Sequence, residues 1–252
     1  MNAHIQIPQL LLRKFQHQEI ETYEEYTNIV QCVYFLDLVN NLIDFEKVRL
    51  FGTEVDFYGE CGEKKLSKNV EEPFGAAINK ILNDNREMLN VDDYISIKRF
   101  AYFCVLRSKN VLNTLVNNEY LTRKKKNTPD TIIKLVNDKN GYSNSFIEIL
   151  INHTDNDFVI PNNCLIFTSD NQVLPISPRI ALTLRKKISY EIERFEFIEK
   201  QIVDPEYIEG INRASVGVEK RNRGIIIAKE KQTLINLSKN LGIKICERKG
   251  DA

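Results

Sequence analysis

The chain has 252 residues, 42% hydrophobic and 28% charged, and its 35 Lys and Arg balance its 35 Asp and Glu to a formal net charge of zero. That length can bury a core without disulfides, and a neutral chain has no general attraction to polyanions. No apolar run approaches the roughly 20 residues of a membrane helix, the start lacks a charged and then apolar leader pattern, and the five cysteines show no C-x-x-C spacing; the expectation is a cytoplasmic protein with free thiols, no membrane association and no metal site.

In chain order, a short apolar segment from Ile7 to Phe15, with Pro8 at its head, precedes an acidic stretch around Glu19, Glu21, Glu24 and Glu25. Val33 to Leu38 and Leu42 to Phe45 are rich in β-formers and predict a hairpin, with Asn40 and Asn41 suited to positive φ in its turn. A third extended piece is expected near Val55 to Gly59. Val70, Phe74, Ala77, Ile78 and Ile81 then fall on one helical face. Pro73 has no N–H and belongs in a first turn, which predicts a helix start near Asn69, where Asn69 and Glu72 fit a capping box. A longer helix is expected from about Asp92 to Asn117, striped by Ile97, Ala101, Cys104, Val111 and Leu115. Arg123 to Thr128 breaks the pattern, and Pro129 opens a short helix through Ile132, Ile133, Leu135 and Val136.

Extended runs return at Phe146 to Ile151, Phe158 to Ile160, Cys164 to Thr168 and Ile180 to Leu184, separated by Asn, Asp and Pro clusters. Pro175 and Pro178 read as rigid turn residues. A helix from about Pro205 to Arg223, an apolar run at Ile225 to Ile227, a helix near Thr233 to Leu241 and a charged tail complete the chain. Strand and helix runs are segregated, which predicts an α+β fold: a β-hairpin and strands near the N-terminus, central long helices, a second set of strands at about 146–185, and C-terminal helices. With no repeat and no linker, residues 1–252 read as one domain.

Several short motifs follow one order: Pro8-Gln9, Leu12-Arg13 and Phe15; Phe57-Tyr58 before Glu71-Glu72; Leu106-Arg107-Ser108; Ser169-Asp170-Asn171 before Pro175-Ile176-Ser177-Pro178; and Asn212 in a late helix. That order resembles the bacterial domain-of-unknown-function family numbered 4238, whose members open with H-x-x-P-x-x-x-L-R-x-F and later carry S-D-N-P-V and P-L-S-P. The chain departs from that pattern at Ile5 in place of the opening His, at Asn79 in place of a helix glutamate, and at Gln172 in place of a proline. The resemblance implies an architecture and a set of polar positions, Arg13, Glu71 or Glu72, Arg107, Asp170 and Asn212; it implies no activity.

Each position carries two readings. Asp170, at the end of an apolar strand, is a candidate catalytic or metal-binding carboxylate, while Ser169-Asp170-Asn171 is also an ordinary Asx-turn sequence. Helical geometry turns Glu71 toward the core and Glu72 outward, and an inward Glu71 calls for a partner such as Arg107. Arg13 is a candidate anion ligand or a stem lying on apolar surface. The basic runs at Arg123 to Lys126 and Arg185 to Lys187, with Arg213, Lys220, Arg221 and Arg223, offer a candidate nucleic-acid surface or a solvated face. Glu63-Lys64-Lys65 with Asp56 upstream is a faint likeness to a metal-dependent nuclease core. P-loop, G-x-G-x-x-G, G-x-S-x-G and H-E-x-x-H are absent, His4, His17 and His153 stand alone, and no cofactor is indicated.

Two functions are thus expected. One is an enzyme acting on nucleic acid or another phosphorylated substrate, with Glu71 and Asp170 as acid, base or metal ligands and Arg13, Arg107 and Asn212 binding substrate. The other is a non-enzymatic binding or interaction module in which these residues are structural.

Overall fold

Asn41 takes the left-handed conformation, φ 51, and so lets an extended chain double back on itself between two apolar runs. The computed structural model describes residues 2–4, 7–23, 26–51, 53–55, 59–107, 128–137, 145–168, 171–186, 196–222 and 224–246. The chain enters through β1 (Asn2–His4) and the single turn α1 (Gln9–Leu12). An antiparallel meander follows, made of β2 (His17–Tyr23), β3 (Tyr26–Asp37) and β4 (Leu42–Lys47). The hairpin turning at Asn41 is the expected one. β5 (Thr53–Val55) then returns to pair with β1. The acidic stretch at Glu19 and Glu21 is strand β2, which lies at a sheet edge, a position where strands carry charge; its polarity hides it from a search for apolar alternation.

The first helical region differs from expectation at its start. Helix α2 (Gly59–Leu66), a wide π turn at Ser67–Glu71 and α3 (Glu72–Leu82) follow one another without a break. Pro73 therefore sits inside a continuous helical segment and opens nothing new. A proline ring collides with the carbonyl four residues back, and the π turn relaxes the ladder directly before it. The Asn69 and Glu72 capping box does not form: Asn69 Nδ2 donates to the Lys65 carbonyl at 2.8 Å, and Ser67 Oγ donates to Glu72 Oε1 at 3.2 Å.

The reciprocal cap lies one helix later, on α4 (Val91–Arg107). Asn90 Oδ1 accepts from the Asp92 and Asp93 amides at 2.9 and 3.1 Å, and Asp93 Oδ2 accepts from the Asn90 amide at 2.9 Å, a carboxylate version of the capping box. The Lys80 ammonium reaches the same carboxylate at 2.7 Å. With Phe74 stacked on Phe100 at 3.7 Å between centroids, these contacts pair α3 and α4 as an antiparallel hairpin. Ile97, Ala101 and Cys104 are buried as the stripe requires, while Val111 and Leu115 lie outside the described residues. Helix α5 (Thr128–Asn137) carries Pro129 in its first turn, with Ile132 and Val136 buried.

The second sheet contains β6 (Ser145–Asn152), β8 (Ile166–Phe167), β9 (Asn171–Ser177), β10 (Ile180–Lys186) and β11 (Phe197–Ile202), in the order β11-β6-β10-β9-β8. Pro175 is a strand residue, opposite Ala181 where the β9–β10 register shifts. An irregular position is one of the few where a strand tolerates a missing N–H. The turn itself is Ser177 to Arg179, with Ser177 Oγ accepting from the Arg179 and Ile180 amides at 3.3 and 3.0 Å.

The two-residue strand β7 (Ile160–Pro161) crosses to the first sheet and pairs with β12 (Ile225–Ala228), which pairs with β3. Helix α6 (Pro205–Asn222) precedes β12, and α7 (Lys231–Asn240) follows it. The fold is α+β.

Alternation along the strands divides the interior. Ile147, Ile149, Leu174 and Leu182 face α3, α4 and Val33 in the main core, whereas Leu150 and Ala181 face Ile208 and Ile211 of α6 in a second. A third cluster packs Val216 of α6 and Leu234 and Leu237 of α7 on Leu36, Ile226 and Ala228 of the first sheet. Helix α6 thus spans the outer faces of both sheets. Among the described residues, no helix is long and apolar enough to cross a membrane.

Candidate functional site

The inward stripe of α6 is not wholly apolar. Ile208, Ile211 and Val216 share it with Asn212, Ser215 and Glu219, all buried. A buried polar group must find a partner or lose its hydration without return. Asn212 finds two. Its Nδ2 donates to the Asp157 carbonyl at 2.8 Å, and its Oδ1 accepts from the Val159 amide at 3.1 Å. One carboxamide therefore clamps the chain on both sides of Phe158, whose own amide donates to the Pro178 carbonyl at 2.9 Å.

The loop so held is rigid for local reasons as well. Asn152 Oδ1 accepts from the Thr154 amide at 2.9 Å and from Thr154 Oγ1 at 2.8 Å, and the Asn156 amide donates to Thr154 Oγ1 at 3.2 Å. Arg179 closes the structure from the facing turn: Nη1 donates to the Thr154 carbonyl, and Nε lies 3.2 Å from Asp157 Oδ1. The Asp157 oxygen forms this ion pair without an aligned hydrogen bond. Burial pushes the Asp157 carboxyl above its ordinary value; Arg179 and Lys229 oppose the shift and Glu230 adds to it.

This loop is the floor of a cleft of about 490 Å³, with Arg179 beside it and α6 and α7 as walls. The α6 wall presents Glu209, Asn212 and Arg213, and the α7 wall presents Glu230 at the cap position followed by Gln232, Thr233, Asn236 and Asn240. Its charges are mixed and partly paired, Arg213 lying 3.8 Å from Glu209, with Lys239 and Asp155 adding one charge of each sign. The volume is that of an ordinary small-ligand pocket, but the lining is far more polar than usual.

Of the residues singled out by sequence, Asn212 and Arg213 line this cleft, and Arg13 and Glu71 do not. Arg13 is exposed at the end of α1, its Nη2 donating to Gln9 Oε1 at 3.3 Å. Glu71 ends the π turn and is half-buried beside Val70, with Glu72 outside it, the orientation expected. Arg107 is the last residue of α4; its side chain lies outside the described residues, as does the whole of Asp170. The frame around Asp170 is described: Thr168 and Asn171 close the β8–β9 hairpin through Thr168 N to Asn171 O at 3.0 Å and Asn171 N to Thr168 Oγ1 at 3.2 Å. Ser169 and Asp170 are the two residues between them.

No family model, curated protein or solved structure matches the chain. Two of the cleft's central residues escaped the sequence reading. Asp157 sits among turn-formers and Arg179 follows Pro178, so each looks like ordinary loop polarity until the fold joins them across 22 positions of sequence. Glu219 was legible in principle, because it continues the i, i+3, i+4, i+7 stripe that carries Asn212.

A second polar cluster ties the edge strand to the meander. His17 stacks on Tyr34 at 4.0 Å, and both reach Glu19 Oε1, His17 Nε2 at 3.0 Å and Tyr34 OH at 2.8 Å. Burial and the hydrogen bond to Glu19 push the Tyr34 hydroxyl up to about 12. These contacts are accounted for by cross-strand packing.

Proposed function

We propose that this protein is a binding module whose ligand lies in the cleft between α6 and α7, and that the ligand is polar and close to neutral. The observation that carries the proposal is the double hydrogen bond from buried Asn212 to the loop at 157 and 159, because it spends a buried carboxamide on holding the cleft floor in one shape. A site whose floor is fixed before binding loses little entropy on binding. The paired charges argue for a near-neutral ligand. Arg179 is engaged by Asp157 and the Thr154 carbonyl, Arg213 by Glu209, and Asp155 and Glu230 add two further carboxylates to the lining. A phosphate would find Arg179 and Arg213 already engaged, and the one further lining cation, Lys239, is set against four carboxylates, Asp155, Asp157, Glu209 and Glu230, that repel it. A phosphorylated ligand or nucleic acid, held by Arg13 and Arg107 at the far helical region, remains the enzymatic counterpart of this proposal, and the two differ in which variants matter. The test is a thermal-shift panel of nucleotides, oligosaccharides and polar peptides on the parent chain, Asn236→Ala and Arg13→Ala. Stabilisation lost in Asn236→Ala supports the cleft; stabilisation by nucleotides lost in Arg13→Ala rejects it.

A further inference from the structure

The exposed edge of α7 facing the cleft carries a carboxamide every four residues: Gln232, Asn236 and Asn240. These positions fall on one helical face, spaced about 6 Å apart at 1.5 Å of rise per residue. Gln232 Nε2 donates to Asn236 Oδ1 at 2.7 Å, a bond that uses neither the Gln232 oxygen as an acceptor nor the Asn236 nitrogen as a donor. Each such group can donate and accept together. The complement is a linear ligand that alternates donors and acceptors at a similar repeat. An extended polypeptide does so, since its same-side peptide groups recur about every 6.6–6.8 Å. Its backbone is also uncharged, which suits a cleft where Asp157 is paired with Arg179 and Glu209 with Arg213. A single-stranded nucleic acid has a charged backbone and wants a run of cations and stacking rings, whereas the cleft lining offers Lys239 as its one cation beyond the paired arginines and contains no aromatic residue among those described.

We infer that the cleft binds an extended polypeptide segment through its main chain, with Gln232, Asn236 and Asn240 as the reading ladder. This rests on the cleft being the binding site. The probe is a random dodecapeptide library displayed on phage and panned on the full chain, followed by titration of the enriched peptides. Asn236→Ala/Asn240→Ala should weaken those peptides at least tenfold while its melting curve matches the parent, both side chains being exposed. N-methylation of alternate peptide nitrogens should abolish binding, and alanine substitution of the peptide's side chains should cost less. Enriched peptides that bind the double variant as well as the parent, or that tolerate N-methylation, overturn the inference. Maltohexaose and oligothymidine are titrated alongside. If maltohexaose binds and is lost in the double variant while no peptide binds, the polypeptide assignment fails and the cleft reading survives; if oligothymidine does so, the near-neutral reading fails with it; if the double variant changes nothing for any probe, both fail.

Discussion

Replacing Asn212 by Ala removes both hydrogen bonds that hold the cleft floor and leaves the Val159 amide and the Asp157 carbonyl without that partner beside a small void. Each stranded backbone group costs about 1–3 kcal/mol when buried. Partial relaxation of the loop toward solvent at Asp155 lowers the sum, so the expected loss is about 2–4 kcal/mol. In a domain of this size each kcal/mol lowers the melting temperature by about 2–4 °C, so the variant should melt roughly 5–15 °C below the parent. Asn212→Asp should recover only part of this: it keeps an acceptor for the Val159 amide but sets an oxygen against the Asp157 carbonyl. The assay is thermal and urea denaturation followed by circular dichroism, with a fold check from the near-ultraviolet spectrum. An Asn212→Ala variant melting within about 2 °C of the parent, or an Asp variant as stable as the parent, would refute the clamp.

Other expectations follow from the same interior. Burial raises the Glu219 carboxyl from 4.5 to about 7, so its contribution to stability is complete below about pH 4.5 and is lost as pH rises through about 7, a change of roughly 2–4 kcal/mol; Glu219→Gln should flatten the pH dependence of urea midpoints and exceed the parent at pH 8, and an unchanged slope would count against a buried carboxyl there. A Cβ on Gly224 would lie 1.7 Å from Glu219 Oε2, so Gly224→Ala should cost about 1–3 kcal/mol, and much of that cost should vanish in a Glu219→Ala background; strict additivity in the double-mutant cycle would show that the two do not touch. Asn90→Ala should cost about 0.5–2 kcal/mol through the lost cap of α4, whereas Asn69→Ala should cost less, since the cap expected there does not form; hydrogen exchange at the first turn of α4 reports the difference.

Much of the fold was legible because it obeys period rules. The β3–β4 hairpin, α4, α5, β6, β10, α6, β12 and α7 all follow from apolar spacing and punctuation by Asn, Pro and Gly. Strand β2 was not, because an edge strand can be charged, and the continuity of α2 with α3 was not, because a π turn has no sequence signature that separates it from a helix start at Pro73. The site was less legible than the fold. Asn212 was found through the family resemblance, and its stripe position could have found it unaided. Asp157 and Arg179 gave no local signal, since their meaning comes from a long-range pairing between two turns. The carboxamide ladder of α7 looks on paper like any polar helix face, and becomes a wall only when α6 and the loop at 155–157 stand opposite.

The cleft is tested most directly by a ¹⁵N–¹H spectrum recorded while the tightest-binding probe is titrated into the full chain. The account predicts the largest changes at the side-chain amides of Gln232, Asn236 and Asn240, at the Arg179 Nε–H, and at the backbone amides of residues 155–157. Changes centred on α1 and the π turn around Arg13 and Glu71, with the α7 carboxamides unmoved, would contradict it.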